Sequence, residues 1–142
     1  MSVRSAVAAD AAAIAGLLAE LGYRTAPADL ERRLEGMERP AALVAELDGE
    51  VAGVLTLGMV PVLHEPGDWC RITMLVVAGR ARRRGLARAL VAEAEAIARG
   101  HGCARIEVTS ALHRASAHAF YREAGYGQVS EHFLKPLAGA HG

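Results

Sequence analysis

Arg80, Arg82, Arg83, Arg84 and Arg88 crowd five guanidiniums into nine residues, with Gly85 among them. Arginines at this density bind anions through charge-assisted, often bidentate hydrogen bonds. The flanking residues say where such an anion would sit. Ahead lies Met74-Leu75-Val76-Val77, a short apolar run, half β-branched, that reads as a buried strand. Behind, Leu86, Leu90, Ala94 and Ile97 recur at helical spacing. Gly85 therefore marks a strand-to-helix turn. The first N–H groups of a helix lack partners within it, and the helix dipole adds positive potential there. Gly85 and Ala87 carry almost no side chain, so a large anion can approach the backbone. A positive surface several residues long suits a phosphorylated cofactor better than an inorganic ion. No Lys-Ser/Thr follows the glycine, and G-x-G-x-x-G is absent, so this is neither a Walker loop nor a dinucleotide fingerprint.

A second group of chemically able side chains lies in His113 to Tyr126, HRASAHAFYREAGY, where Tyr121 is a proton donor next to Phe120. These two stretches carry a family resemblance. Arg82-Arg83-Arg84-Gly85-Leu86-Ala87 resembles the Gln/Arg-x-x-Gly-x-Gly/Ala signature of the GNAT N-acetyltransferase superfamily. Ala117, Phe120, Tyr121, Gly125 and Tyr126 match that family's second signature, and the two occur in the family's order. The resemblance implies acetyl-coenzyme A as co-substrate, an amine as acceptor and no metal. It implies that backbone groups of Leu75, Val76 and Val77 bind the pantetheine arm, with the Val77 N–H polarising the thioester carbonyl. Backbone amides from Arg83 to Arg88 would hold the pyrophosphate, with Arg82, Arg84, Gly85, Leu86, Ala87 and Arg114 completing the cofactor set. Tyr121 would protonate the departing thiolate.

Three positions depart from the family pattern. Arg114 stands where many members carry an asparagine, Thr73 where a glutamate often serves as general base, and Thr109 at a place some members use instead. The base is then Glu107, His64 or Glu65, or a bound water. The acceptor loops are Tyr23 to Leu30 and Pro61 to Trp69, where His64, Glu65, Asp68 and Trp69 suit a cationic amine.

Elements that must position these groups follow from periodicity. Ser2 to Ala6 reads as a strand, residues 9–21 as a helix and ADLERRLEGMER as a second helix ended by Pro40. Ala42 to Leu47 and Val51 to Val60 flank Asp48-Gly49-Glu50, a hairpin signal. Trp69 to Val77 feeds the basic turn, and Ala104 to Ser110 follows the long helix. A short helix spans Arg114 to Ala124, and Tyr126 to Leu137 reads as one long strand or a pair. The strand–helix–strand unit makes the strands at 69–77 and 104–110 parallel. The expected fold is a single α/β domain over residues 1–142, like the acyl-CoA N-acyltransferases. It has a mixed central sheet of six to seven strands and about four helices.

Composition narrows the partners. The 142 residues are 52% hydrophobic and 23% charged, a globular balance. Sixteen basic and sixteen acidic residues cancel, which argues against nucleic acid as a partner and leaves the arginine cluster a local feature. Cys70 and Cys103 lack Cys-x-x-Cys spacing and read as buried reduced thiols. No apolar run approaches a membrane span, and Asp10 breaks the Ala-rich start, so a cytoplasmic location is expected, with a homodimer left open. Two rival functions remain. One is a coenzyme A-binding sensor without catalysis; the other is a small nucleic-acid-binding module reading RARRR as its contact.

Overall fold

The computed structural model describes residues 1–37, 41–109, 115–129 and 133–138. They form two compact units, Met1–Leu112 and His113–Gly142. The first unit contains β1 (Ser2–Ser5), α1 (Ala11–Glu20), α2 (Pro27–Gly36), β2 (Ala42–Leu47), β3 (Glu50–Val60), β4 (Trp69–Val77), α3 (Leu86–Gly100) and β5 (Arg105–Val108). The second contains α4 (Ala115–Glu123).

The sheet follows chain order, β1-β2-β3-β4-β5, antiparallel as far as β4 and parallel between β4 and β5. Asp48 and Gly49 both take positive φ, 54° and 80°, the pairing that a tight hairpin turn between β2 and β3 requires. The long crossover through α3 returns the chain to β4 in parallel, as a βαβ unit must. α3 buries Leu86, Leu90, Val91, Ala94 and Ala98, one stripe of its surface. A Cβ placed on Gly53 would meet Leu90 at 3.1 Å, so α3 lies directly over β3. Leu43, Ala45 and Leu55 line the Gly53 face. Val44 and Val54 on the opposite face are also wholly buried, so the sheet is covered on both sides.

One polar network lies inside this unit. Arg4 of β1 holds Asp10 with two hydrogen bonds, 2.8 and 2.9 Å, and reaches Glu46 on β2 at 3.0 Å. Asp10 also accepts the Val7 N–H at 2.8 Å. This pairing keeps the Asp10 carboxyl below its usual range and fixes where α1 leaves β1.

Two sequence expectations need correction. The described residues form five strands, not six to seven. In the stretch from Tyr126 to Leu137, the described residues 126–129 and 133–137 join no ladder; 130–132 lie outside the described residues. A period-two pattern becomes a strand only when pairing and burial reward it. Here Val129 and Phe133 are 84% and 97% exposed. β5 is also shorter than expected. The Ala104 N–H bonds Asp68 O, ahead of the ladder, and the Thr109 N–H makes its last bond, to Ile72 O.

Candidate active site

The shortness of β5 shapes the site. Its register with β4 runs from Trp69↔Arg105 to Ile72↔Val108 and stops, whereas β3 pairs with β4 on to Val77. Among the described residues, Thr73 to Val77 therefore have a partner strand on one edge only. Successive residues of a strand turn their N–H and C=O to opposite edges. Just beyond the end of β4, the Ala78 N–H bonds Ala52 O of β3, so the main chains of Val77 and Leu75 face the open edge. The Val76 main chain faces β3, and its side chain is buried. Of the three residues expected to meet a pantetheine arm, two present their amides to the opening.

Beyond Val77 the chain makes a one-turn 3-10 helix, Gly79–Ala81, and enters the basic turn. Arg82, Arg83, Arg84 and Arg88 are exposed, and none forms an ion pair or hydrogen bond with a described residue. Only Arg80 of the cluster is paired, to Glu50 at 3.3 Å. Arg83 takes φ +63°, unusual for a side chain with a Cβ, and Gly85 takes φ +83° at the N-cap of α3. Space around a Gly85 Cβ is open to 4 Å. No side chain caps the helix and no acid sits in its first turn. The first helical bond is Ala89 N–H to Gly85 O, so the N–H groups of Leu86, Ala87 and Arg88 precede the ladder. Leu86 itself is buried and anchors the helix, leaving only its backbone for a ligand. Open strand edge, uncapped helix and unpaired guanidiniums thus form one continuous surface with the polarity to receive a chain ending in phosphates.

The other end of β4 is differently built. Arg105 stacks on Trp69, its guanidinium carbon 3.9 Å from the ring centroid, and pairs with Glu65 at 2.7 Å. His64 meets the same indole edge-on at 5.5 Å and lies 3.7 Å from Glu65. His101 contacts Asp68 at 3.2 Å, and Arg71 binds Glu107 through Nε and Nη2 at 2.7 and 2.6 Å. The β4–β5 register sets Glu107 opposite Arg71. Arg105 holds the Glu65 carboxyl below its ordinary range, which makes it a weaker base. Both Glu107 contacts use Oε1, so Oε2 has no hydrogen bond among the described residues. Burial pushes the Cys70 thiol up to about 11, and Cys103 donates to Met59 Sδ at 3.4 Å; neither is a nucleophile at neutral pH.

Two further contacts were not read from the sequence. Glu20, at the end of α1, accepts the Gly79 N–H at 2.9 Å and brings the Tyr23 loop to the basic end of β4. Thr56 and Thr73 join hydroxyls across β3 and β4 at 2.6 Å. In the second unit, Tyr121 on α4 is buried, edge-on to Phe120 at 5.2 Å and Tyr126 at 5.8 Å. Arg114 lies outside the described residues.

The acetyltransferase (GNAT) family model matches residues 12–126, most of the chain and both motifs. The chain belongs to the GNAT family. The membership read from the two motifs therefore holds, and the surface just described lies within the matched GNAT span. Among curated relatives, an aminoalkylphosphonate N-acetyltransferase of Salmonella typhimurium is 36% identical over 90 residues, 63% of this chain and 58% of that protein. An aminoglycoside N(6')-acetyltransferase type 1 of Klebsiella aerogenes is 33% identical over 105 residues, 70% of this chain and 69% of that one. The match thus spans little more than half of the first relative's length. An aminoglycoside acetyltransferase from an uncultured soil metagenomic sample is 26% identical at a TM-score of 0.73, covering 96% of this chain and 98% of that one. A putative acetyltransferase of Agrobacterium tumefaciens shares the fold at a TM-score of 0.84 and 24% identity, over 96% and 100% of the two chains. Among the described residues no helix is long and apolar enough to cross a membrane.

Proposed function

We propose that this GNAT chain transfers an acetyl group from acetyl-coenzyme A to the primary amine of a small molecule. The open edge of β4, running without interruption into four unpaired arginines and an uncapped helix, carries this reading. The pyrophosphate would rest on the N–H groups of Leu86, Ala87 and Arg88 with Arg82, Arg83 and Arg84 around it. The pantetheine amides would bond Leu75 and Val77. The amine nitrogen attacks the thioester carbonyl, the C–N bond forms, and the C–S bond breaks with its electron pair leaving on sulfur. The amine gives up a proton, by way of water or Glu107 Oε2, and the thiolate gains one from the Tyr121 hydroxyl. Holding both reactants in one cleft supplies much of the acceleration, and the Val77 N–H polarises the carbonyl.

Small-molecule amines are favoured over protein substrates because both curated relatives are named for small amine acceptors. A coenzyme A-binding sensor is the second reading. It draws on the pairing of Glu65 with Arg105 and Glu107 with Arg71, which leaves no unpaired carboxylate among the described residues at this end of β4.

The test is thiol release from acetyl-coenzyme A over a panel of amine classes, for wild type and Tyr121→Phe. Turnover with one class identifies an acetyltransferase, and the phenylalanine variant should turn over about ten- to a hundredfold more slowly with KM for acetyl-coenzyme A unchanged. Coenzyme A binding without thiol release from any amine would select the sensor.

A further inference from the structure

We infer that Glu20 is a positioning residue that couples the basic turn to the loop after α1, so that coenzyme A bound at the first orders the second; this rests on the coenzyme A reading above. Glu20 is the last residue of α1, and it is exposed. A carboxylate there meets the negative end of the helix dipole, and no basic residue in the last turn offsets it. Nothing within α1 accounts for an acid at this place. Among the described residues Glu20 forms no ion pair, and its single hydrogen bond leaves the helix altogether. Its Oε1 accepts the N–H of Gly79, 59 residues further on, at 2.9 Å.

What Glu20 holds is the exit of β4. The Ala78 N–H is held by Ala52 O of β3 at 2.8 Å, and the next N–H, that of Gly79, by Glu20. Gly79 opens the one-turn 3-10 helix Gly79–Ala81, and Ala78 before it caps nothing with its side chain. Glu20 supplies that cap from another element. The arginines follow directly. The basic turn therefore starts from a point fixed by β3 on one side and by α1 on the other.

The α1 side of this tie is closed as firmly. Gly22 takes φ +92°, its N–H bonds Ala19 O at 3.0 Å, and the Tyr23 N–H bonds Leu18 O at 3.1 Å. These are the two bonds of a Schellman motif. They hold Leu21 to Tyr23 against the turn that carries Glu20. Tyr23, 62% exposed, is thus launched from a place set by Gly79.

Charge gives the coupling its sign. Without an anion, Arg82, Arg83, Arg84 and Arg88 repel one another, and Arg83 sits at φ +63°. Bound phosphates neutralise the cluster and confine the turn, the Gly79 N–H with it, so the bond to Glu20 stays made for more of the time. A tie that opens less often protects the last turn of α1 and the loop beyond it. By linkage, anything that fastens this loop first strengthens coenzyme A by the same factor.

The experiment is hydrogen–deuterium exchange over residues 18–30, with and without coenzyme A, in wild type, Glu20→Gln and Glu20→Ala. Calorimetry first sets a saturating concentration of coenzyme A for each protein. Alanine is a strong helix former and the site is exposed, so the fold should stand, and unchanged exchange in β2 and β3 checks it. In wild type, coenzyme A should slow exchange over 18–30 about tenfold, the scale of one hydrogen bond. Glutamine keeps a carbonyl oxygen for the Gly79 N–H and should retain the slowing to within about threefold. Alanine should abolish it while coenzyme A still binds, weaker by no more than about tenfold. Full slowing in Glu20→Ala, or none in wild type with coenzyme A bound, overturns the coupling alone. A wild type that binds no coenzyme A overturns the coenzyme A reading and the coupling with it.

Discussion

Both ends of β4 carry arginines, two beside Trp69 and five beyond Val77, and use most of them in opposite ways. At the Trp69 end, Arg71 and Arg105 each face a carboxylate within 2.7 Å, and one of them also stacks on an indole. At the Val77 end, Arg82, Arg83, Arg84 and Arg88 face no acid among the described residues. An arginine with a nearby carboxylate has satisfied its strongest preference within the fold. Four that crowd one turn repel each other and raise the potential around an already positive helix terminus. Such a cluster costs stability unless something outside the chain neutralises it. Counting arginines locates neither end's purpose; their partners do.

The largest test of this contrast is Gly85→Val. A β-branched residue at φ +83° is strained although nothing crowds its Cβ, so the turn should rearrange. Coenzyme A affinity should fall at least about a hundredfold by calorimetry while the folded state persists. Unchanged affinity would mean that the backbone of this turn does not hold the phosphates.

Gly67→Ala probes the paired end by the opposite route. There φ is ordinary, but a Cβ would lie 2.3 Å from Gly102 O, backbone against backbone. The loop must move off the α3–β5 turn, at a cost of about 1–3 kcal/mol in unfolding free energy. Coenzyme A affinity should be preserved, which makes this variant the mirror image of Gly85→Val.

Arg83→Ala and Arg105→Ala bring the comparison to single guanidiniums. The first should weaken coenzyme A by about 1–3 kcal/mol, the range of a charge-assisted contact, with stability unchanged or slightly higher. The second should leave coenzyme A alone and lose about 0.5–1 kcal/mol of stability from the cation–π contact. A swap of these two phenotypes would reverse the roles given to the two ends.

The smallest effect is a pH response confined to the paired end. Arg105 lowers the folded-state pKa of Glu65 below the ordinary 4.5. Its contribution is therefore complete above that value and lost as pH falls through the lower folded one. Trp69 is the only tryptophan, so its fluorescence reports this loop directly. It should stay constant from neutral pH to about pH 5 and change only on further acidification. A transition near neutrality would show that Glu65 does not control this loop.

Much of the fold was legible because short-range pattern and long-range packing agree. The apolar period of Leu86, Leu90 and Ala94, the Asp48-Gly49 turn and the strand at Trp69 to Val77 all stand where periodicity set them. The arginine cluster was equally visible, since charge density and a glycine at a strand-to-helix junction are properties of the chain itself. The end of β5 at Val108 was not, because it depends on where the chain leaves a neighbouring strand far away in sequence, after Ile72↔Val108. Likewise, alternation alone cannot show that a bulge at Thr73 breaks the register, or that a threonine on β3 waits opposite it.

By itself, then, the sequence determined a basic, glycine-containing helix start in a mixed α/β layer belonging to the GNAT family. Those conclusions rest on local dihedral preference, side-chain period and charge. Tertiary structure decided which arginines are spent on carboxylates and which are free, which β4 amides face the opening, and where that opening begins. Each of these is a pairing between residues far apart in the chain, and a pairing exists only once both partners have been brought to the same place.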